Sequence, residues 1–432
     1  MLYIDLRELY KRDNMDRDLF KETVEIASDL IRIKSVNPAF GGTGEKEKGD
    51  YVLNKLREYI ERYRIKNCHI ANYETVDERG IVRPNIVAKF DFKRERTLHI
   101  ISHLDTVPEG ELSLWESPPY EPRIKDGRIY GRGSEDNHKG IVSSLILLKM
   151  IFESKNFNPK YNLSLIFLSD EECGSRYGIQ HLLKYEEEVF SREDLIIVPD
   201  FGTPEGNYVE IAEKGILWLK FKIRGKQCHG STPDRGINAN ILSANFIRDL
   251  YTRLYSKYSR VDPLFSPPYS TFEPTMIVNN VENVNTIPGY IEFTLDCRIL
   301  PDYKLEEVLR DVEEFIEDFR KNLERYLMHY DRASIDEVSI DYEVLQRGDP
   351  SKTPEDSEIV LELGRAIKKV LNKEPILCGM GGGTIGAFLR HRGYDTVVWG
   401  IGEGTAHQPN EHMKIEDMIK MAEIYYHVLN NE

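Results

Sequence analysis

The chain has 432 residues, of which 40% are hydrophobic and 30% charged, and its formal net charge is −15. This composition is typical of a globular protein, and the length predicts two domains or one large domain with an insertion. The negative charge argues against nucleic acid and anionic membranes as partners, because both require clustered cations. No apolar run approaches the ~20 residues of a membrane span, and Met1 to Asp18 is too charged for a secretory signal, which favours a cytoplasmic protein.

The first part of the chain predicts helices followed by strands that alternate with helices. The apolar spacing is helical in four segments: 18–33, 50–63, 140–152 and 179–185. Short, nearly continuous apolar runs predict strands buried on both faces: 85–92, 98–102, 162–169, 195–198 and 396–400. This order predicts an α/β fold in which helices flank a mostly parallel sheet, and ligands of such sheets bind beyond the carboxyl ends of the strands.

A different order of elements occupies the region between about Glu213 and Gln346. It predicts, in turn, a strand, a helix, two strands, a helix and a strand: 217–223, 238–258, 274–281, 290–299, 305–327 and 339–345. This βαββαβ order predicts a ferredoxin-like sandwich. Because helix, Gly-rich turn and buried strand return after Pro354, the sandwich is predicted to be an insertion at 213–349, between 1–212 and 350–432 of the first domain.

The segment IISHLDTVP places His103 and Asp105 at the end of a buried strand. Residues two apart in an extended chain share one face, so one side chain can bind a metal ion while the other contacts the same ligands. The pattern favours His103 as a ligand and Asp105 as the carboxylate that orients it or its neighbours. For this motif alone, a polar strand end exposed in a loop is the alternative.

Asp136 lies in the Gly-rich stretch GRGSEDNHKG, just before a predicted helix. A carboxylate at this place can bridge two cations that lie ~3.5–4 Å apart, or it can cap the helix. The nearby His138 is assigned to solvent or to the helix start.

The stretch SDEECGS places Asp170, Glu171 and Glu172 directly after a buried strand. A buried acidic cluster is strongly repulsive without cations, so the run indicates either a solvated loop or a metal site. Adjacent glutamates in irregular backbone can diverge, one towards an ion and one towards a bound water molecule.

Two further strand ends supply Asp200, in VPDFG, and His407, in WGIGEGTAHQPNE. The candidate ligands, all at the ends of predicted strands or in the loops that follow, are His103, Asp136, Glu172, Asp200 and His407. Without a metal site, each of these five residues would need a separate structural reason for its position at a strand end. The sequence therefore predicts a metal site.

The motifs and their order also resemble those of a known family. In sequence order they are SHLDTVP, GRGSEDNHKG, SDEECGS, VPDFG, CHGSTPDRGINA, NVNTIPG, GMGGGT and AHQPNE. Over nearly its whole length the chain resembles the co-catalytic zinc aminoacylases and carboxypeptidases, which include acetylornithine deacetylase, succinyl-diaminopimelate desuccinylase and glutamate carboxypeptidase. The resemblance implies a zinc-peptidase-like fold, a homodimer, and a lid and dimerisation role for the inserted domain.

The resemblance further implies two divalent metal ions, zinc or alternatively cobalt. Asp136 would bridge the two ions. His103 and Asp200 would complete one ion site. Glu172 and His407 would complete the other.

The remaining roles are also implied by the resemblance. Glu171 would be the general base, and Asp105 would support His103. His229, in CHGSTP, would reach a neighbouring active site and stabilise the oxyanion, with an ordinary turn as its alternative. Arg298, in LDCRIL, is a candidate for binding a substrate carboxylate because its planar fork suits that group, and a structural ion pair is its alternative.

The predicted reaction is hydrolysis of an amide bond in an N-acyl amino acid or small peptide. A deacylase or desuccinylase is the first interpretation, and a dipeptidase or carboxypeptidase of the same family is the alternative. An inactive relative that only binds metal or a small molecule would lack the general base or one of the metal-binding residues, and all of these are present in this sequence. An acidic scaffold protein, the other alternative, would bind no metal. Two departures from the family pattern, an extra residue between Asp136 and Gly140 and the residues Ile385 to Ala387 after the Gly-rich run, argue against adopting one relative's substrate.

Overall fold

The computed structural model describes residues 17–431, and these form two compact units. The first unit holds the chain up to Ile211, the segment Thr353–Leu377 and the chain from Thr384 onward. The second unit holds Ala212–Lys352 and Cys378–Gly383. Residues 1–16, which belong to the segment judged too charged for a secretory signal, lie outside the described residues. Within the described part of the chain, no helix has the length and apolar character needed to cross a bilayer.

The helices of the first unit follow the predicted spacing closely. They are Arg17–Arg32, Lys46–Tyr63, Lys139–Glu153, Ile179–Leu182, Glu186–Val189, Glu358–Leu371, Ile385–His391 and Ile415–Leu429. The helix Lys139–Glu153 is buried on almost every side, as its apolar residues all round predict. The helix Lys46–Tyr63 begins four residues before the predicted start because its first turn is charged and carries no apolar signal.

The first unit is built on a central sheet. In spatial order its strands are Cys68–Asn72, Ile86–Phe90, Asn162–Leu168, Thr97–His103, Leu195–Val198, Thr396–Val398 and Tyr208–Glu213, the last of which crosses the division between the units. The four strands from Asn162–Leu168 to Thr396–Val398 are parallel, whereas the outer strands run antiparallel. The prediction of a mostly parallel sheet flanked by helices is therefore confirmed.

This topology positions the candidate site. The carboxyl ends of parallel neighbouring strands meet at one edge of a sheet. His103 ends one such strand, and Glu171, Asp200 and His407 lie in the loops that follow the other three. The fold therefore brings together side chains that are far apart in the sequence.

The second unit contains the predicted βαββαβ sandwich. Its elements are the strand Gly215–Arg224, the helix Ala239–Lys257, the strands Thr271–Asn279 and Tyr290–Ile299, the helix Leu305–Lys321 and the strand Ser339–Gly348. The four strands form an antiparallel sheet, with Gly215–Arg224 and Tyr290–Ile299 in the centre. Alternate residues of these strands are buried, and Phe221, Phe246 and Phe293 pack together in the core beneath the helices.

Short strands complete the described secondary structure. Cys228–His229 pairs with Thr286–Ile287, and Ser351–Lys352 pairs with the end of Tyr208–Glu213. The others are Thr75–Val76, Val82–Arg83, Arg123–Lys125, Arg128–Tyr130, Ile376–Met380 and His412–Lys414.

Candidate metal centre

His103 is fully buried at the end of its strand, and its ring is oriented by the residue two positions on. Its Nδ1 lies 3.1 Å from the carbonyl oxygen of Asp105 and 3.4 Å from a carboxylate oxygen of Asp105. Donation from Nδ1 to that carbonyl leaves the lone pair on Nε2. Nε2 is thus the nitrogen of His103 that can bind a cation.

Asp105 also holds the acidic turn that follows the neighbouring strand. Its buried carboxylate accepts hydrogen bonds from the backbone N–H groups of Glu171, at 3.0 Å, and Glu172, at 3.1 Å, and from the side-chain amide of Asn37, at 2.7 Å. One carboxylate therefore contacts both the histidine and the backbone from which the two glutamates project.

Asp136 lies between two histidines and presents one carboxylate oxygen to each. Its Oδ1 is 2.8 Å from Nε2 of His103, and its Oδ2 is 2.9 Å from Nε2 of His407. A second carboxylate lies beside each histidine: Oδ1 of Asp200 is 3.3 Å from His103, and Oε2 of Glu172 is 3.2 Å from His407. The five candidate ligands therefore form two donor groups that share Asp136.

The donor groups fit divalent cations. Ligand atoms ~2.0–2.2 Å from a tetrahedral zinc ion lie roughly 3.3 Å from one another, close to the spacing between each histidine and its second carboxylate. Among residues 17–431, Oε1 of Glu172 is buried and finds no hydrogen-bond partner, although a buried carboxylate oxygen normally has one. Imidazole and carboxylate donors suit zinc and related transition metals.

Glu171 lies next to these donor groups. A carboxylate oxygen of Glu171 lies within 4.8 Å of donor atoms of both His103 and Asp200. Burial, followed by the charge of Asp200, raises the pKa of Glu171 well above its ordinary value. A carboxyl group with a raised pKa is suited to accept a proton near neutral pH and release it again.

The two histidines and Glu172 hold protons more tightly than usual. Hydrogen bonds to Asp136 and Glu172 raise the pKa of His407 to about 10. Burial lowers the pKa of His103, but the charge of Asp200 and hydrogen bonds to neighbouring aspartates outweigh it, so this pKa lies well above its usual value. Burial and the charge of Asp136 raise the pKa of Glu172 to about 7.

Metal uptake by the metal-free protein is therefore expected to release protons at neutral pH. His407 has a folded pKa of about 10 and stays protonated until a cation replaces the proton, so the apparent metal affinity rises with pH up to that value, about tenfold per pH unit for each proton released. Titration calorimetry in buffers of different ionisation enthalpy counts these protons. An apparent affinity that is constant between pH 6.5 and 8.5 would contradict the ligand role of His407.

His229 lies in the second unit, on an exposed short strand. Its Nδ1 accepts a hydrogen bond from the backbone N–H of Ser231 at 3.1 Å and lies 2.7 Å from the hydroxyl of the same residue. Acceptance at Nδ1 assigns the proton of the neutral ring to Nε2. His229 therefore carries an N–H donor on an exposed side chain.

Arg298, also in the second unit, has protein partners for its guanidinium group. It donates to both carboxylate oxygens of Asp296, at 2.7 and 3.1 Å, and to the carbonyl oxygen of Gly381 at 2.8 Å. These are the contacts of the structural ion pair that the sequence left open as the alternative.

His138 differs from its sequence interpretation in one respect. It lies at the start of the helix Lys139–Glu153, as one alternative had it, but it is buried and its Nε2 lies 2.6 Å from Nζ of Lys48. The assignment to solvent was therefore wrong. Residues 134–138 form a wide turn before this helix, in which Asp136 and Asn137 have non-helical backbone angles and a cis peptide bond joins them.

Several residues that support the proposed ligands were not identified from the sequence. The side-chain amide of Asn137 donates to Oδ1 of Asp200 at 2.7 Å and to the carbonyl oxygen of Pro199 at 2.8 Å. The buried carboxylates of Glu135 and Glu411 bind backbone N–H groups of the loops around the centre. Both glutamates lie within the quoted motifs, but a charged residue carries no sequence signal of burial.

Comparisons with known proteins identify the family of the chain. Residues 99–431 match the model of peptidase family M20/M25/M40. The chain is 62% identical to an uncharacterized metallohydrolase of Methanocaldococcus jannaschii over 95% of this chain and 100% of that protein. It is 26% identical to a succinyl-diaminopimelate desuccinylase of Alkalilimnicola ehrlichii over 94% of this chain and 98% of that enzyme. Among solved structures, aminopeptidase PepT from Bacillus cereus matches 95% of this chain and 98% of its own, with a TM-score of 0.72 at 19% identity, and shows the same fold.

The chain belongs to peptidase family M20/M25/M40. It is a metal-binding hydrolase of amide or peptide bonds, similar to the peptidases and desuccinylases of that family.

Proposed function

We propose that the protein hydrolyses the amide bond of N-acyl amino acids or small peptides, as a deacylase or desuccinylase, with the help of two divalent metal ions. The proposal rests on the position of Asp136, whose two carboxylate oxygens face two different histidines at 2.8 and 2.9 Å. A single structural ion pair would use one histidine. A carboxylate shared between two nitrogen donors fits a centre of two cations.

In this proposal His103 and Asp200 hold one ion together with Asp136, and Glu172 and His407 hold the other. Zinc is the first candidate and cobalt the second, because both accept imidazole and carboxylate ligands. When bound, such ions supply a nucleophile of lowered pKa and polarise the carbonyl group that is attacked.

Glu171 moves the proton. Its carboxylate accepts the proton of the attacking water molecule and then delivers it to the nitrogen of the leaving amine. Its environment supports both steps, because burial and the charge of Asp200 favour the protonated form that must exist between them. Asp105 fixes the backbone N–H of Glu171 at 3.0 Å and thereby sets the direction of this side chain.

A dipeptidase or carboxypeptidase is the second candidate function, since the same centre cleaves peptide bonds equally well in chemical terms. The deciding experiment is a substrate panel on protein reconstituted with zinc or cobalt, with N-acetyl and N-succinyl amino acids beside dipeptides. Preference for the acyl amino acids supports the deacylase, and preference for dipeptides supports the peptidase. An inactive relative would hydrolyse neither while still binding metal.

The second unit is proposed to act as a lid and dimerisation domain, so that the protein is a homodimer. Its edge strand Thr271–Asn279 supports this, because Met276, Ile277 and Val278 are between 57% and 64% exposed. An unpaired apolar edge strand is a ready surface for pairing with a second chain.

His229 is proposed to donate a hydrogen bond from its Nε2–H group to the oxyanion in the active site of the partner subunit. His229→Ala is then expected to lower kcat by about 10²–10³-fold, the usual effect of removing one oxyanion donor. Its exposure supports this role, because a donor that serves a second chain must be accessible before that chain binds.

Subunit exchange tests whether His229 acts across the dimer. Glu171→Gln and His229→Ala chains, each nearly inactive alone, are mixed so that each mixed dimer has one site with an intact glutamate and an intact partner histidine. About a quarter of the wild-type activity is expected to return after statistical exchange. If mixed dimers form and activity stays at the level of the parents, His229 does not act in trans.

A further inference from the structure

Glu135 connects the turn that carries Asp136 to the loop that carries His407. Its carboxylate accepts hydrogen bonds from the backbone N–H groups of Gly404, at 2.9 Å, and Thr405, at 2.6 Å, and from the hydroxyl of Thr405 at 2.6 Å. Glu135 is 4% exposed. The buried carboxylate thus binds the backbone that leads into His407.

Glu411 makes the reverse connection, from the His407 loop to the Asp136 turn. Its carboxylate accepts hydrogen bonds from the backbone N–H groups of Gly133, Glu135 and Asp136, all at 3.0 Å. The guanidinium of Arg132 donates to the same carboxylate at 2.6 Å. Each loop therefore supplies one buried carboxylate that binds the backbone of the other.

Three of the four oxygens of this carboxylate pair accept two hydrogen bonds each, and Oε1 of Glu135 accepts one, from Gly404. Oε2 of Glu135 and Oε1 of Glu411 each accept two hydrogen bonds, and Oε2 of Glu411 accepts one from Gly133 and one from Arg132. An amide in place of either carboxylate would turn an NH2 group towards N–H donors. Burial of an ionised carboxylate is costly unless all its oxygens are satisfied, so the pair specifies one arrangement of the loops.

His407 has an unusual backbone conformation, which this arrangement of the loops holds in place. His407 has a φ of 65°, a left-handed conformation that few residues other than glycine adopt. The clamp formed by Glu135 and Glu411 binds the chain on both sides of it, at Thr405 and at Glu411 itself. The Nε2 atom of His407 is thereby kept 2.9 Å from Oδ2 of Asp136.

We propose that Glu135 and Glu411 are positioning residues that set the separation of Asp136 and His407 and thereby the affinity of the metal site that contains them and Glu172. The inference rests on the proposed two-ion centre. The site formed by His103 and Asp200 depends on it less, because His103 is fixed by its strand and by Asp105. Asp136 belongs to both sites, but His407, which the clamp also holds, belongs to only one of them, so the clamp acts more strongly on that ion.

Stepwise Co²⁺ titration of the metal-free protein tests the inference, with binding followed by calorimetry and by the visible absorption of the bound ion. Glu135→Gln and Glu411→Gln are expected to weaken the binding of one of the two equivalents by about 10- to 100-fold and to change its spectrum. The affinity for the other equivalent is expected to change by less than about threefold, the scatter expected of an interaction left in place.

Glu403→Gln is the matched control. Glu403 lies in the same loop and is also largely buried, but its carboxylate binds the side chains of Arg128 and Lys414 rather than backbone N–H groups of the clamp. This variant loses ion pairs without loosening the clamp, so both equivalents are expected to bind as in the wild type. If Glu135→Gln and Glu411→Gln bind both equivalents as Glu403→Gln does, the inference is overturned.

Thr405 provides a milder pair of variants should the glutamate variants fail to fold. Thr405→Val removes the hydroxyl that donates to Glu135, and Thr405→Ser keeps it. One Co²⁺ equivalent is expected to bind more weakly to the valine variant and with wild-type affinity to the serine variant. Equal affinity in the two variants would contradict the role of the clamp. If the wild type binds no second equivalent, the two-ion centre fails rather than the clamp.

Discussion

Replacing Glu171 by glutamine is expected to lower kcat by roughly 10³- to 10⁴-fold, the upper part of the range for a general acid–base group, because one side chain serves both proton transfers. Metal content is expected to stay near the wild-type value. The glutamine cannot accept the proton, but none of the five proposed ligands is altered. Kinetics on the best substrate of the panel, with elemental analysis of the same preparation, measure both quantities.

Glu172→Gln is the matched control for this variant, because it makes the same replacement of a carboxylate by an amide at the adjacent residue. Glu172 has a carboxylate oxygen 3.2 Å from Nε2 of His407 and is proposed as a ligand, so its replacement is expected to weaken metal binding as well as turnover. Equal metal loss in the two variants, or turnover retained in Glu171→Gln, would refute the separation of base and ligand.

Asp136→Ala is expected to remove most of the bound metal and nearly all of the activity. Both donor groups contain this carboxylate, so its loss opens both at once. The electrostatic contribution of bound cations to the transition state is several kcal/mol, which corresponds to roughly a thousandfold in rate. The measurement is the metal content of each variant after dialysis against metal-free buffer, together with kcat.

Asp136→Asn separates a shared ligand from an ordinary one. The asparagine keeps a single oxygen and can serve one ion, so this variant is expected to retain about one equivalent. Asp200→Asn, which alters only the His103 side, is expected to keep the equivalent bound by Glu172 and His407. Two equivalents in Asp136→Asn would mean that Asp136 does not bridge.

The parts of the fold that could be predicted from the sequence are those with a strong apolar signal. The runs at 98–102, 162–169 and 195–198 became the strands Thr97–His103, Asn162–Leu168 and Leu195–Val198, because a strand buried on both faces must be apolar throughout. The strand Tyr208–Glu213 was not predicted. It contains the buried Glu210, which pairs with Arg390 at 2.9 Å, and a partner 180 residues away cannot be inferred from local pattern.

The same limit applies to the candidate site. The proposed ligands combine a suitable side chain with a position after a buried strand, and the parallel sheet brings such positions together. Glu135 and Glu411 meet across 276 residues, and Lys48 meets His138 across 90. Each of these contacts depends on burial of a charged residue, which becomes favourable only when a distant partner is present.

A zinc titration with an activity readout is the decisive experiment for the two-ion centre. The metal-free protein is titrated with Zn²⁺, and hydrolysis of an N-acyl amino acid is followed at each addition. The proposed centre predicts two equivalents bound per chain, with full activity reached as the second equivalent binds. Full activity with no metal or with a single equivalent, or no hydrolysis of any acyl amino acid or peptide at two bound equivalents, would contradict the two-ion centre.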